Sequence, residues 1–215
     1  MLSTNRPNYL SAFSTPRKDL IAALIFVFLG CLSFFFFDTV FTQAIAPYTP
    51  QVRLLATICS HFISPLYPFF FAALFFVLHC SRDDKVALRP LFEITIVQFI
   101  TAGLVRFLKV IIGRPRPKML ELDYTHKHLF HHDFHSFPSG HAMAAFALAA
   151  TLAIFYPRLF PWLLGAALLF SLSRVLLLDH FLSDLCGTAA LAIISARFIH
   201  NRLQAIDPYG SLKSS

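Results

Sequence analysis

The chain has 215 residues, of which 57% are hydrophobic and 13% are charged. A soluble domain carries about 25% charged residues, so this composition excludes an ordinary soluble protein and predicts an integral membrane protein with one helical bundle. The formal net charge is +7, but the basic residues lie in short loops and tails, which membrane topology explains without a nucleic-acid partner.

Six apolar segments are each predicted to cross the membrane as a helix. About 20 apolar residues span ~30 Å of hydrocarbon; the fourth segment is short unless it begins at Ser139, and Pro65 and Pro68 are expected to bend or break the start of the second. The sequence therefore predicts an all-α fold, in which residues 19–200 form a six-helix membrane domain between an N-terminal tail (1–18) and a C-terminal tail (201–215). The segments are residues 20–37, 54–79, 88–112, 142–156, 161–178 and 182–200.

The distribution of basic residues predicts the orientation of this bundle. Lys and Arg are concentrated in the N-terminal tail, the turn at residues 80–90, the turn at Arg158 and the C-terminal stretch, and such loops face the cytoplasm. We therefore expect both termini in the cytoplasm. The longest polar loop, residues 113–137, then lies on the outer face.

Three polar clusters interrupt the apolar segments, and all are expected on that outer face. A charge inside the membrane costs ~3 kcal/mol or more and is normally retained for a partner or a function. Arginine grips two phosphate oxygens with its planar fork, whereas lysine acts as a point charge. The clusters are therefore typical of a site for a lipid phosphate. They are Lys109 with Arg116 and Pro117; Pro138, Ser139, Gly140 and His141; and Ser173 and Arg174 with His180 and Asp184.

The second cluster is predicted to present a helix N-terminus to the phosphate. Ser139 is a natural N-cap, and the unpaired N–H groups of the first helical turn point towards a bound anion. Gly140 has no side chain that would keep the backbone away from the phosphate.

Two histidines and one carboxylate are predicted to carry the chemistry. His180 and Asp184 are four residues apart and share a face if the segment is helical. A carboxylate there can accept a hydrogen bond from one ring nitrogen, which leaves the other nitrogen free to attack phosphorus. His141 begins a different helix and can protonate the departing oxygen.

The three clusters resemble the three motifs of the type 2 phosphatidic acid phosphatase superfamily. They match in order, without gap or substitution, and the six-helix layout resembles the membrane branch of the family across nearly the whole chain. The motif residues are Lys109, six residues and Arg116-Pro117; Pro138-Ser139-Gly140-His141; and Ser173-Arg174, five residues, His180, three residues and Asp184.

The resemblance implies a metal-independent phosphatase without a cofactor. It implies that His180 is the nucleophile that forms a phosphohistidine, that Asp184 orients it, and that His141 is the general acid. Water would then release inorganic phosphate. It also implies a set of phosphate-binding residues: Lys109, Arg116, Ser139, Gly140 and Arg174.

The lipid substrate stays open, with phosphatidylglycerophosphate, phosphatidic acid, lipid A and undecaprenyl pyrophosphate as candidates. The compact size and short loops resemble bacterial members of the family, which favours a bacterial inner membrane. A lipid phosphotransferase would use the same histidine but pass the phosphoryl group to another lipid's hydroxyl. A small transporter would spread its ionisable groups across the membrane depth, whereas these groups concentrate at one face.

Several other polar residues are expected to have lesser roles. Arg106 is expected to pair with Glu93 or another helix, to reach the interface, or to extend the cation cluster, and Arg114 to contact at most a head group. Asp179 would point about 100° away from His180 on a helix and so lie outside the site. The histidines of the polar loop indicate a surface that gates or contacts the head group, or an adventitious metal site: His126, His128, His131, His132 and His135.

The two histidines predict a bell-shaped dependence of activity on pH. His180 must be neutral to attack, whereas His141 must be protonated to act as an acid, and histidine normally titrates between about pH 5 and 8. Phosphate release measured across this range should rise and then fall. A flat profile would contradict these roles.

Overall fold

The computed structural model describes residues 16–61, 66–81, 88–119 and 132–206. Within these ranges the fold is all-helical, as predicted. The N-terminal tail to residue 15, the residues beyond 206, and His126, His128 and His131 lie outside the described residues. The helices are α1 (Pro16–Leu32), α2 (Asp38–Ile45), α3 (Thr49–His61), α4 (Tyr67–Ser81), α5 (Arg89–Ile112), α6 (Gly140–Phe155), α7 (Phe160–Leu176) and α8 (Leu182–Ile206).

Four described helical segments are long and apolar enough to cross a membrane: Arg17–His61, Arg89–Met119, Pro157–Leu176 and Leu182–Ile206. Two shorter apolar helices, α4 and α6, complete the set. Large apolar side chains such as Phe35 and Trp162 are more than two-thirds exposed, as lipid-facing residues would be. The chain is an integral membrane protein, whereas the count of six spans stays a prediction.

The second predicted span, residues 54–79, is interrupted near its start, where the prolines were expected to bend or break it. The structure divides it between α3, which ends at His61, and α4, which begins at Tyr67; Pro65 lies outside the described residues. Pro68 has no N–H group and is tolerated in the first turn of α4, where that group would be unpaired. α3 instead packs against the end of α7, where Thr49 Oγ1 donates to the Leu176 carbonyl at 3.2 Å.

The core is built on small side chains. α8 packs on α1 and α6, and α6 also packs on α5 and α7. Alanines at the contacts are almost completely buried, including Ala142, Ala147, Ala189 and Ala192. Small residues let helix backbones approach closely and so increase van der Waals contact where lipid supplies no hydrophobic driving force between helices.

Two polar contacts establish that the α1–α2 segment and α8 are antiparallel. Arg197, near the end of α8, forms an ion pair with Asp19 in α1. Asp38, at the start of α2, accepts a hydrogen bond from the backbone N–H of Ser183, at the start of α8, at 3.0 Å. The start of α1 and the end of α8 therefore lie at the same end of the bundle.

The expected pairing of Arg106 with Glu93 is wrong. Glu93, in α5, is 1% exposed and pairs with Arg89 at 3.2 Å and with His200 of α8 at 2.7 Å. Arg106 is exposed. The side chains of Arg89 and Glu93 meet because residues four apart lie on one helix face.

Candidate active site

The end of α5 and the segment that follows it carry the basic residues of the first motif. Gly113 adopts a left-handed conformation (φ 56°, ψ 39°) and its N–H donates to the Lys109 carbonyl at 3.1 Å, which ends α5. Glycine is the usual residue at this position because it has no Cβ to clash. The chain then turns, and Arg116 N–H bonds to the Asp133 carbonyl at 2.9 Å.

The start of α6 has the predicted N-terminal arrangement. Ser139 is the N-cap, is completely buried, and accepts a hydrogen bond from the Ala142 N–H at 3.4 Å. Its own N–H donates to Thr188 Oγ1 of α8 at 3.0 Å. A Cβ built on Gly140 would have Val105 Cγ1, at 4.0 Å, as its nearest neighbour. The protein thus leaves space beside Gly140 for a ligand.

The turn from α7 to α8 determines where the third motif's side chains point. Asp179 N–H bonds to the Arg174 carbonyl at 3.1 Å and Leu178 N–H to the Val175 carbonyl at 2.9 Å. Leu178 adopts a left-handed conformation (φ 56°). This is a Schellman ending with leucine where glycine is usual, at a cost of about 1–2 kcal/mol. The turn carries Asp179 and His180 out of the helix.

The structure brings the predicted residues of all three motifs to one end of the bundle. Lys109 is half-buried at the end of α5, Arg116 is 3% exposed, and Arg174 lies in the last turn of α7. We call these three residues the basic cluster. The charges of all three act on both His141 and His180, so both histidines lie near the basic cluster.

Asp179 is a site residue that the sequence interpretation wrongly left out. Its carboxylate bridges two members of the basic cluster: Oδ1 accepts from Arg116 at 2.7 Å and Oδ2 pairs with Arg174 at 2.6 Å. The helical angle that placed Asp179 away from His180 does not apply, because both residues lie in the turn between α7 and α8. An acidic residue next to the motif histidine was the only signal in the sequence.

His180 is held in one tautomer by the backbone. Its Nδ1 lies 2.5 Å from the Ser136 carbonyl. A carbonyl oxygen only accepts hydrogen bonds, so Nδ1 carries the proton and Nε2 has a free lone pair. The direct hydrogen bond expected between His180 and Asp184 is not formed, since Nδ1 and Oδ2 are 3.9 Å apart, beyond hydrogen-bond distance. The expected helical geometry fails because α8 begins only at Leu182.

His180 is 2% exposed, and burial lowers its pKa well below the ordinary value of 6.5. The positive charges of the basic cluster lower this pKa further, while the hydrogen bond to Ser136 opposes the shift. Both main causes disfavour a second positive charge next to the cations. His180 is therefore neutral at pH 7, and the acid limb that it contributes to a pH–activity profile lies well below pH 6.5.

Asp184 acts on His180 through Ser136. The Asp184 side chain is completely buried; Oδ2 accepts hydrogen bonds from Ser136 Oγ at 2.6 Å and from the Phe181 N–H at 2.9 Å. Ser136 N–H in turn donates to the Arg114 carbonyl at 2.9 Å. The serine whose carbonyl orients His180 is thus fixed at its side chain and its N–H.

The sequence suggested that Arg114 contacts at most a head group, but its side chain is bonded within the protein. Its guanidinium pairs with Asp184 and donates to Ser183 Oγ at 2.8 Å and to Asp38 Oδ2 at 2.7 Å. It lies 4.4 Å from the ring centre of Phe181 and 5.0 Å from that of Phe34, where cation–π attraction adds to the ion pairs. We call Asp38, Arg114, Ser136, Ser183 and Asp184 the carboxylate network.

Asp38 joins this network because the first span contains a π-helical turn, Ser33–Phe37. Residues five apart lie close together in a π turn, so the side chains of Ser33 and Asp38 are in contact. Ser33 Oγ donates to Asp38 Oδ1 at 2.8 Å. Single π turns inside α-helices are frequent at functional sites. A polar pair at the end of an otherwise apolar run was a weak signal of this contact in the sequence.

The structure describes two histidines of the histidine-rich loop, His132 and His135. His132 contacts Arg116, with Nε2 2.9 Å from Nη2 and with its carbonyl accepting from Nε at 3.2 Å. Partial burial and the nearby positive charge of Arg116 lower the pKa of His132, so it adds no stable positive charge to the site. Among the described residues, no group of three or more His, Cys, Asp or Glu side chains is placed to hold a metal ion.

Comparison with known proteins identifies the family of this chain. The model of the PAP2 superfamily matches residues 87–207, a range that includes all three motifs, and the chain belongs to this family. It is also similar to the crystal structure of the first transmembrane PAP2 type phosphatidylglycerolphosphate phosphatase from Bacillus subtilis. The TM-score is 0.56 at 21% identity, over 89% of this chain and 98% of that one. A comparison with curated proteins gave no significant match.

Replacement of Asp179 by asparagine is expected to strengthen inhibition by inorganic phosphate. Two unit charges 4 Å apart repel by about 4 kcal/mol at an effective dielectric constant of about 20, whereas losing the ordering of an arginine costs about 1 kcal/mol. The repulsion between the Asp179 carboxylate and phosphate therefore outweighs the ordering of the arginines. The inhibitory concentration of phosphate should be lower for Asp179→Asn than for the wild-type protein by about tenfold or more. Weaker inhibition would mean that Asp179 chiefly orders the arginines. Asp133→Asn, whose carboxylate pairs with Lys118 at 3.2 Å, is the charge-matched control.

Replacement of Asp38 by asparagine should lower both stability and turnover. It removes one partner of a buried ion pair, which costs about 3 kcal/mol or more, and it frees Arg114 to shift the Asp184–Ser136 contact. Asp19→Asn is the control, because it breaks the α1–α8 ion pair with Arg197 at the other end of the bundle. We expect a lower melting temperature for both variants but a lower kcat for Asp38→Asn alone. Equal kcat values per folded protein would contradict a role for Asp38 at the site.

Proposed function

We propose that this PAP2 protein is a membrane lipid phosphatase. It hydrolyses a phosphate monoester or pyrophosphate on a lipid head group through a phosphohistidine intermediate and releases inorganic phosphate. The observation that carries the proposal is the neutral His180, whose Nδ1 is bonded to the Ser136 carbonyl and whose lone pair is therefore on Nε2, beside the basic cluster. A neutral imidazole next to three cations is a nucleophile at an anion site.

The first step forms the phosphohistidine. The lone pair of His180 Nε2 attacks phosphorus, the bond from phosphorus to the lipid oxygen breaks, and His141 transfers a proton to that oxygen. The basic cluster and the N–H groups of the first turn of α6 stabilise the charge on the equatorial oxygens. Asp179 must yield its contacts with Arg116 and Arg174, at least in part, to the incoming phosphate.

The second step releases phosphate. His141, now neutral, takes a proton from a water molecule whose oxygen attacks phosphorus, and the nitrogen–phosphorus bond breaks. His180 returns to its neutral tautomer, because Nδ1 keeps its proton on the Ser136 carbonyl throughout. His141 thus donates or accepts each proton that is transferred in the cycle.

The location of the site follows from the charge distribution. We assign both termini to the cytoplasm and the site to the outer face of a bacterial inner membrane, on the basis of the basic loops at the opposite end. The lipid then enters sideways from the outer leaflet. The structural relative acts on phosphatidylglycerolphosphate according to its title, so this lipid, phosphatidic acid, lipid A and undecaprenyl pyrophosphate form the panel for a phosphate-release screen of the purified protein.

Two substitutions test the roles of the histidines. His180→Ala should reduce phosphate release by about 10⁴-fold or more on every lipid. His141→Ala should reduce it by about 10²–10⁴-fold on an alkyl ester, and should release p-nitrophenolate from p-nitrophenyl phosphate in a burst, because that leaving group needs no proton while hydrolysis of the phosphohistidine is still slow.

The control for both is His79→Ala, because His79 lies near the C-terminal end of α4, whereas Tyr67 begins that helix. All three variants should keep the elution volume of the folded protein. Near-normal activity of His180→Ala, or the absence of a covalent phosphoprotein in His141→Ala, would exclude the mechanism.

A further inference from the structure

An apolar groove of about 150 Å³ lies between α4, α6 and α7. None of the described side chains that line it is charged. Its walls include Ala145, Ala149 and Leu152 of α6 and Leu163, Ala167 and Phe170 of α7. We call it the tail groove.

The walls of the tail groove are the helix faces that carry two of the site residues. On α6, the lining residues Ala145, Leu148 and Leu152 follow His141 by four, seven and eleven positions, which is one face of an α-helix.

On α7, Phe170, Ala167 and Leu163 precede Arg174 by the same three intervals. The groove therefore begins one helical turn from His141 and one turn from Arg174.

The groove extends away from the site along the helices. α6 and α7 are joined by the short turn Pro157–Leu159 and pack against each other, so Ala145 faces Phe170 at one end and Leu152 faces Leu163 at the other. Seven residues of helix from Ala145 to Leu152 cover about 10 Å. Tyr67, the first residue of α4, closes the third side.

Small side chains create the space. Ala145, Ala149 and Ala167 are each less than 10% exposed because their helix neighbours cover them, yet their methyl groups fill little of the width between α6 and α7. Larger residues at these positions would close the groove. An uncharged slot of this kind fits a hydrocarbon chain and excludes a polar head group.

We propose that the tail groove binds a hydrocarbon chain of the same lipid whose phosphate lies between His141 and Arg174. This inference rests on the proposed function and names the part of the substrate that the protein recognises inside the membrane. A lipid with its phosphate on these two residues directs its chain along the faces that line the groove. Because the chain leaves bilayer hydrocarbon for a hydrocarbon-like slot, the groove gains little hydrophobic free energy and acts mainly by orienting the phosphate.

The test compares one phosphate head group on long and short chains. Ala149→Leu narrows the groove at its centre, and Ala166→Leu narrows it from an exposed position on α7. For each variant we expect kcat/KM for dipalmitoyl phosphatidic acid to fall by about tenfold or more, and that for dibutyryl phosphatidic acid to stay within about twofold, because the short chains end before the narrowed part. Gly165→Leu is the control on the same helix, since a Cβ there has no neighbour within 4 Å among the described residues.

The outcomes separate this inference from the proposed function. If the wild-type protein releases no phosphate from any lipid phosphate, the proposed function fails. If the wild-type protein hydrolyses both lipids and the two variants change both rates equally, or neither, the groove does not bind the substrate's chain and is filled by bilayer lipid. Only variants that keep the elution volume of the folded protein are compared, and Ala166→Leu, at an exposed position, keeps the test decisive if Ala149→Leu does not fold.

Discussion

The ion pair between Arg114 and Asp184 is the interaction on which the rest of the site depends. A completely buried carboxylate is costly unless it is paired and hydrogen-bonded, and Asp184 meets this requirement with Arg114, Ser136 and the Phe181 N–H. Each partner comes from a different part of the chain: the segment after α5, the segment before α6, and the start of α8. Satisfying one carboxylate therefore brings these segments together, and the Ser136 carbonyl orients His180 as a result.

The same pair connects the first span to the site. Asp38 follows a π-helical turn and reaches Arg114, and α1 packs closely along α8, where a Cβ on Gly30 would lie 3.3 Å from Cys186 Cβ. The N-terminal span, which carries none of the three motifs, thus takes part in positioning the proposed catalytic residues. This gives a physical reason for a span that lies outside the range matched by the family model, residues 87–207.

Charge balance distinguishes the two sides of the site. Behind His180, Arg114 pairs with both Asp38 and Asp184, so one guanidinium is shared between two acidic side chains. On the other side, the basic cluster and Asp179 together carry a net positive charge, which favours an anion. Asp179 bridges Arg116 and Arg174 and so orders both guanidinium groups. The arrangement suits a dianion that replaces part of an existing contact, since the donors are already in place when it arrives.

The sequence by itself determined the membrane character, the helical fold and the residues of the three motifs, because composition, apolar length and motif spacing are local properties. It also located the end of α5 at Gly113 and the start of α6 at Ser139, because each of these residues acts within one turn of the backbone. Only the tertiary structure decided what holds His180, because the Ser136 carbonyl and the Asp38–Arg114–Asp184 contacts join residues far apart in the chain. It likewise decided the position of Asp179, since a left-handed Leu178 ends α7 and places Asp179 in the turn that follows. Such features depend on packing between helices, which a periodic pattern along one helix does not contain.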